Sequence, residues 1–230
     1  MPEVRLRLYK LIEVSGTDKI EFLQGQLTQD VSCLSESTKL FAAWCNPKGR
    51  VIVTMSLLLS EEAIVLVVPA GIAESILDKL AMYRLRSDVS FALSDAIHDS
   101  SSSSIQFDQK HLILHGIPII DETNSESYTP HMLNLDKLSA ISFDKGCYTG
   151  QEVVARTEHL GNSKRRMMRY QADSDGLRVG SKLSDGSRNV GTIVNISGRD
   201  LLAVTPVAIH KEPLIAESIT VTPLGVPYEI

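Results

Sequence analysis

Four short β-prone runs, separated by Gly, Asp, Ser and Pro, fill the C-terminal part of this 230-residue chain. Short strands at this spacing, with turn-forming residues between them, are typical of a small barrel or sandwich. The pattern begins near residue 164, so we place a domain boundary there and expect a small β-barrel in residues 165–230. The four runs are Met167 to Gln171, Val190 to Ile196, Leu201 to Val207 and Ser218 to Val221.

The N-terminal region, residues 1–98, mixes strand and helix patterns, which predicts an α+β layer. A helix is expected to begin at Asp18, with Glu21 completing a capping box. Its apolar face would comprise Ile20, Leu23, Leu27 and Val31. The other expected elements are strands at 6–14, 39–45, 50–59, 63–68 and 88–93, a four-residue hairpin turn at 46–49, and a helix whose buried stripe runs from Ile72 to Tyr83.

A serine-rich segment follows this region. The five serines Ser100 to Ser104 have little apolar surface to bury, so residues 99–110 are predicted to be a linker. After it, residues 111–114 are predicted to form a short strand that leads into a turn at Gly116. Residues 111–164 form the segment that carries the chemistry-bearing motif.

Composition narrows the possible classes of protein. Hydrophobic residues are 43% of the chain, and no apolar run approaches the roughly 20 residues of a membrane-spanning helix. The three cysteines are far apart and no histidine or cysteine set has structural-zinc spacing, so we expect a reduced, cytoplasmic protein without a metal. A net charge of −5 disfavours general nucleic-acid binding. We expect a monomer.

Residues 143–156 bring together a thiol, an ammonium group, glycines, an amide and a carboxylate. The apolar spacing of Val153 and Val154 predicts a short helix, with Cys147 just before its N-terminus. The helix dipole and the charge of Lys145 would favour the thiolate form of Cys147. The alternative is an inert thiol beside a glycine turn, with Lys145 in solvent.

The string Lys145-Gly-Cys-Tyr-Thr-Gly-Gln-Glu152 resembles the signature of the YgfZ family, which is related to the T-protein of the glycine cleavage system. The similarity extends to residues 22–31, to the turn at 46–50, to residues 130–143 and 153–166, and to Gly191-Thr192-Ile193. It implies a folate-binding aminomethyltransferase-like body with a C-terminal β-barrel. Members of the family commonly have several dozen further residues in the middle domain, where this chain has the serine-rich segment.

The resemblance also implies a function. It indicates a tetrahydrofolate-binding factor that supports the assembly or repair of iron–sulfur enzymes, including enzymes that modify tRNA, without turnover of its own. Its partners would be iron–sulfur client enzymes or assembly proteins. Cys147 would be the reactive or cluster-contacting group and Lys145 would tune it. The expected cofactor-binding residues are Tyr9, Gly146, Tyr148, Gly150, Gln151, Glu152 and Arg156.

Two alternatives stay open at this point. An aminomethyltransferase of the T-protein type would need carboxylates on the hairpin, and the corresponding positions are Ile52 and Val53. A tRNA-contacting module is suggested by a run of basic residues, although such runs are more often solvated surface. The run consists of Arg156, His159, Lys164, Arg165, Arg166 and Arg169.

Overall fold

The computed structural model describes residues 8–95, 108–160 and 163–230. An antiparallel sheet with flanking helices precedes a closed β-barrel, as the sequence predicted. Most of the serine-rich segment 99–110 lies outside the described residues. The described strands are β1 Tyr9–Ser15, β2 Leu40–Cys45, β3 Val51–Leu59, β4 Ala63–Pro69, β5 Ser90–Ser94, β6 Arg165–Ala172, β7 Lys182–Ser184, β8 Asn189–Ser197, β9 Asp200–Pro206, β10 Leu214–Ala216 and β11 Ile219–Leu224; the helices are α1 Lys19–Gln24, α2 Ala73–Tyr83, α3 Gln109–Leu114 and α4 Gln151–Leu160.

The N-terminal sheet has the strand order β2-β3-β4-β1-β5 within the described residues, and its neighbouring strands are antiparallel. Successive side chains of strand β2 point to opposite faces of the sheet, and each face is covered by a separate core. Ala42 and Trp44 face a core that α1 and α2 cover, whereas Ala43 and Cys45 face a second core. Strand β2, which leads into the hairpin turn, is therefore packed on both of its faces.

The second core joins the sheet to the barrel. It packs Ala43, Cys45 and Val51 of the hairpin against Val154 of α4 and against barrel residues such as Met167. Because this core is continuous, the N-terminus of α4 is held at the turn between β2 and β3. The motif therefore lies at the junction of sheet, helix and barrel.

The barrel closes in the order β10-β11-β6-β9-β8-β7 within residues 163–230, with β7 also pairing to β10. The four predicted runs correspond to β6, β8, β9 and β11. The short strands β7 and β10 were missed, since three residues are too few to show an alternating pattern. A separate apolar core that includes Tyr170 and Leu201 fills the barrel interior.

Three local predictions were wrong in whole or in part. Residues 111–114 belong to helix α3, because Asp108 caps the first turn through Lys110 N (3.4 Å) and the run was too short to show a period. The side chain of Asp18 accepts from Asp88 N (2.7 Å) instead of capping α1. The predicted apolar face of this helix was also wrong in part: α1 ends at Gln24 and Ile20 is 45% exposed, so of the predicted face only Leu23 is a buried residue of the helix, and Leu27 and Val31 are buried beyond its end.

Candidate functional site

The loop that carries Cys147 is anchored on one side by Lys145. Its ammonium group donates to the backbone oxygens of Leu27 (2.9 Å) and Gln29 (2.8 Å), and it lies 5.4 Å from the centre of the Tyr148 ring. Charge-assisted hydrogen bonds of this kind are stronger than neutral ones. Lys145 is therefore a structural clamp between the motif and the segment that follows α1.

Burial makes the ammonium group of Lys145 easier to deprotonate. Desolvation lowers the pKa of Lys145 to about 8, although the nearby Asp30 opposes the shift. Burial also raises the pKa of the Tyr148 hydroxyl, since the ring lies in the interior beneath Lys145. Cys147 itself is exposed, and no hydrogen bond joins it to Lys145 among the described residues. The tuning of Cys147 by Lys145 stays a prediction.

The other side of the loop is anchored at the end of α1 and packs closely against the hairpin turn. Thr149 N donates to Gly25 O (3.2 Å), and Gly150 has a positive φ of 84°. A β-carbon added at Gly150 would lie 2.5 Å from Asn46 O, and one added at Gly49 would lie 2.7 Å from the β-carbon of Val153. Two glycines therefore allow the turn and the first turn of α4 to meet.

We expect Gly150→Ala to be strongly destabilising and Gly146→Ala to be nearly neutral. A side chain at Gly150 meets both the unfavourable φ and the oxygen of Asn46, so it should cost about 1–3 kcal/mol or more of unfolding free energy. At Gly146 no atom lies within 4 Å of an added β-carbon, so the change should stay within about 0.5 kcal/mol. Urea denaturation of both variants measures the difference. Equal losses would contradict the close approach at Gly150.

The lowered pKa of Lys145 predicts a pH-dependent stability. Between about pH 8 and about pH 10.4 the unfolded chain holds a proton on this amine that the folded chain has lost. Unfolding therefore becomes less favourable as pH rises through this window. Urea denaturation at about pH 7.5 and about pH 9.5, below the main titration of tyrosines, should show wild type gaining stability relative to Lys145→Met. A constant difference would contradict the burial of the ammonium.

Helix α4 carries the remaining predicted cofactor residues of the motif. Glu152 and Arg156 form an ion pair one turn apart, with side chains 82% and 61% exposed, and Gln151 is partly exposed at the first position. Exposed pairs of this kind contribute little to stability. Both charged groups are therefore available to a ligand or a partner at the surface.

Tyr9 lies elsewhere, in a cavity of about 180 Å³ on the sheet. Apolar side chains dominate the lining, which also includes the hydroxyl groups of Thr54 and Ser56. Burial, together with the charge of Asp121, raises the pKa of Tyr9. No residue of the 145–152 motif lines this cavity, so the structure places the predicted cofactor residues in two locations.

A buried polar cluster beside α4 was not predicted from the sequence. Arg166 pairs with Asp136 (2.6 Å), with both side chains less than 10% exposed, and it also donates to His131 O (3.2 Å). His131 in turn contacts Glu158 of α4 through Nε2 (3.0 Å). The pairs join residues about 30 positions apart, a separation that no local pattern reports.

This cluster changes the interpretation of the basic run. Arg166 is buried in an ion pair, Arg165 donates to the backbone oxygens of Val190 and Val204, and Arg169 donates to Leu114 O. The expectation of solvated surface is wrong for Arg166, because its charge is neutralised inside the protein. These three arginines serve the packing of β6.

The same cluster contains one candidate set of metal ligands. The ligand atoms of His131, Asp136 and Glu158 lie within 4.8 Å of one another in the part of the chain that the structure describes. However, Glu158 is bound to His131, and the guanidinium of Arg166 lies 2.6 Å from Asp136. A cation bound here would have to break the contact between His131 and Glu158, and the guanidinium of Arg166 would repel it. The arrangement therefore favours a structural network over a metal site.

Comparison with known proteins places these features in a family. No protein-family model matches the chain. An uncharacterized protein of Haemophilus influenzae is 33% identical over 238 aligned positions, covering 85% of each chain. Proteins named tRNA-modifying protein YgfZ from Hamiltonella defensa and from an Enterobacter species are each 26% identical, covering 84% and 81% of this chain and 82% and 78% of their own.

The fold has a solved counterpart. The glycine cleavage system aminomethyltransferase T of Bartonella henselae matches with a TM-score of 0.73 at 15% identity, covering 95% of this chain and 83% of that chain. The alignment with the Hamiltonella protein spans 277 positions but only 84% of this chain, so that relative has segments without a counterpart here. The similarity to these relatives over 81–85% of this chain, together with the aminomethyltransferase-like fold, shows that the chain belongs to the YgfZ family.

Proposed function

We propose that the protein is a tetrahydrofolate-binding factor that supports iron–sulfur enzymes, including enzymes that modify tRNA. The observation that carries the proposal is the fixed presentation of Cys147. Its thiol is exposed, while Lys145 on one side and Thr149 on the other are each bound to backbone oxygens of the sheet domain. A preorganised loop of this kind suits contact with a client protein or its cluster.

The cavity at Tyr9 supports the folate part of the proposal. Pockets for whole drug-sized ligands occupy roughly 300–1,000 Å³, so about 180 Å³ fits only the ring end of a folate. Tyr9 and Phe41 offer aromatic surface and Ser56 a hydroxyl group, whereas Thr54 is already bound to Pro118 O and Ile120 N. The remainder of the ligand would extend out of the cavity, where its carboxylates can stay solvated.

The residues of the hairpin argue against aminomethyl transfer by this chain. The positions that correspond to the carboxylates of such an enzyme are Ile52 and Val53, which are 5% and 0% exposed. Their side chains are apolar and belong to the core. We therefore propose support of other enzymes rather than one-carbon transfer.

We assign contact with tRNA to the client enzyme and not to this chain. Arg165, Arg166 and Arg169 are engaged within the protein, so they do not form a free phosphate-binding patch. The name of two relatives nevertheless refers to tRNA modification. An iron–sulfur enzyme that acts on tRNA would connect these two observations.

Complementation tests this role. A bacterial strain without its own family member would express the wild-type chain, and the modified nucleosides made by its iron–sulfur tRNA-modifying enzymes would be quantified by mass spectrometry. The proposal predicts that the chain restores them above the level of an empty vector. Unrestored nucleosides at normal expression of the chain would contradict it.

A further inference from the structure

Three residues that follow α1, 27–29, lie between strand β2 and the segment that leads into the thiol loop. On one side, Thr28 N donates to Ala43 O of β2 (2.9 Å). On the other side, Thr28 O accepts from Ser142 N (2.9 Å), and the backbone oxygens of the two flanking residues accept from the ammonium group of Lys145. These three residues, which we name the bridge, therefore join the sheet to the loop through their own backbone.

The hydroxyl group of Thr28 adds a second bond on each side of the bridge. It accepts from Ala43 N (2.9 Å) and donates to Ala140 O (2.7 Å). Thr28, Ala43 and Ala140 are all 0% exposed, so water cannot replace the hydroxyl group as a partner. Removing the hydroxyl group would take a partner from a buried N–H group and from a buried oxygen, and unsatisfied buried groups are costly.

The bridge is fixed at its far end by a side chain of α1. Gln24 accepts from Val31 N through Oε1 (2.9 Å) and donates to Asp30 Oδ1 through Nε2 (2.6 Å). The segment 139–145 is in turn bound to the bridge. The place of this segment therefore depends on the bridge, at whose centre Thr28 lies.

The place of the thiol follows from the same bonds. Lys145 is two positions before Cys147, and its ammonium group lies 2.9 Å and 2.8 Å from the two flanking oxygens of the bridge. Cys147 is exposed, and among the described residues no heavy atom lies within 4 Å of a β-carbon added at Gly146. Hydrogen bonds to the bridge, rather than burial, therefore hold this part of the loop.

We propose that Thr28 is the positioning residue of the thiol loop, because its hydroxyl group holds the segment 140–142 against β2 and thereby places Lys145 and Cys147. Thr28 acts through the backbone and through Lys145, so it is a positioning residue and not a catalytic residue. The inference rests on the proposed function, since it names what holds the thiol that this function uses. A purely structural threonine would instead stabilise the whole fold without any specific effect on the loop.

Amide hydrogen exchange of the native protein separates these two roles. Thr28→Val keeps the shape of the side chain and removes the hydroxyl group, so the amides of Ser142 and Thr149 should exchange at least about tenfold faster by local opening. The amide of Ala172, which donates to Arg199 O in the barrel (2.8 Å), is the control and should keep its wild-type rate. An equal increase at all three amides, or no increase at any, would overturn the proposal.

The pH dependence of stability gives a second readout. Between about pH 7.5 and about pH 9.5 the urea midpoint of wild type should rise relative to that of Lys145→Met, because the folded amine loses its proton first. In the Thr28→Val background, the same comparison should show little or no rise, since the released ammonium group is solvated. Asp30 and Tyr148 lie beside the amine in both members of each comparison, so their own titration cancels. An undiminished rise in Thr28→Val would contradict the positioning role.

Two further variants complete the test. Thr28→Ser keeps the hydroxyl group and should match wild type in both measurements. Gln29→Ala removes an exposed bond from the bridge to Ser139 O, so it should fold even if Thr28→Val does not. It should speed exchange at Ser142 and not at Ala172. Wild-type exchange at Ser142 in Gln29→Ala, together with an unfolded Thr28→Val, would show that the bridge serves the whole fold and would overturn the proposal.

Failure here is distinguishable from failure of the proposed function, because neither readout needs a client enzyme. In the complemented strain, Thr28→Val should restore fewer modified nucleosides than wild type, and Thr28→Ser should restore as many. If wild type complements while the exchange rates of Thr28→Val stay unchanged, positioning by Thr28 alone is wrong. Full complementation by a Thr28→Val protein with a loosened loop would overturn it as well. If the rates change as expected and wild type does not complement, the support of iron–sulfur enzymes is wrong.

Discussion

Replacing Cys147 with serine is expected to abolish complementation while leaving the fold intact. The thiol is exposed and makes no contact on which the core depends, so the free energy of unfolding should change by no more than about 0.5 kcal/mol. Serine keeps the size of the side chain but is neither a soft metal ligand nor a nucleophile of comparable strength. Modified nucleosides in the complemented strain should therefore fall to the level of the empty vector.

The other two cysteines provide the matched controls. Cys33 is also exposed, so Cys33→Ser tests whether the loss of any surface thiol impairs complementation, and this variant should complement fully. Cys45 is buried in the second core, and burial raises the pKa of its thiol to about 12, so it is not a reactive group near neutral pH. Full complementation by Cys147→Ser would mean that the thiol is dispensable and that the loop acts through other groups.

The largest loss of stability is expected for Asp136→Ala. The change leaves the guanidinium of Arg166, which is 9% exposed, without its carboxylate partner. Breaking a buried pair by removing one member typically costs about 3–5 kcal/mol, because the remaining charge is desolvated and uncompensated. Urea denaturation should therefore show a midpoint far below that of wild type.

An exposed ion pair on α4 supplies the control. Glu152→Ala removes the partner of Arg156. Because both side chains are largely in solvent, the free energy of unfolding should fall by at most about 0.5 kcal/mol. The double variant Asp136→Leu, Arg166→Met should recover much of the unfolding free energy that Asp136→Ala loses, since an apolar pair of similar volume leaves no buried charge without a partner. Similar losses for Asp136→Ala and Glu152→Ala would show that the Asp136 pair is not buried in solution.

Most of the fold followed from local patterns. The hairpin β2–β3 was predicted because Asn46-Pro47-Lys48-Gly49 encodes a tight turn between two apolar runs, and Gly49 does adopt a positive φ of 68°. The barrel was predicted from runs long enough to alternate. Helix α3 was not, because six residues cover less than two turns and their period is ambiguous.

The candidate site was predictable only where it is local in sequence. The position of Cys147 just before α4 followed from the apolar spacing of the helix, and the structure confirms that helix. The partners of Lys145 are backbone oxygens more than 110 positions away, which no composition or spacing can reveal. The separation of Tyr9 from the motif likewise depends on how the sheet packs against residues 112–138.

Calorimetric titration with tetrahydrofolate tests whether the protein binds folate at the Tyr9 cavity. We expect saturable binding by wild type, weakened about tenfold in Tyr9→Leu because an aromatic contact contributes about 0.5–1.5 kcal/mol beyond its buried area. Tyr9→Phe, which keeps the ring, should bind nearly as well as wild type and so controls for packing. Absence of binding by wild type, or equal affinity in Tyr9→Leu, would contradict a folate site at the Tyr9 cavity.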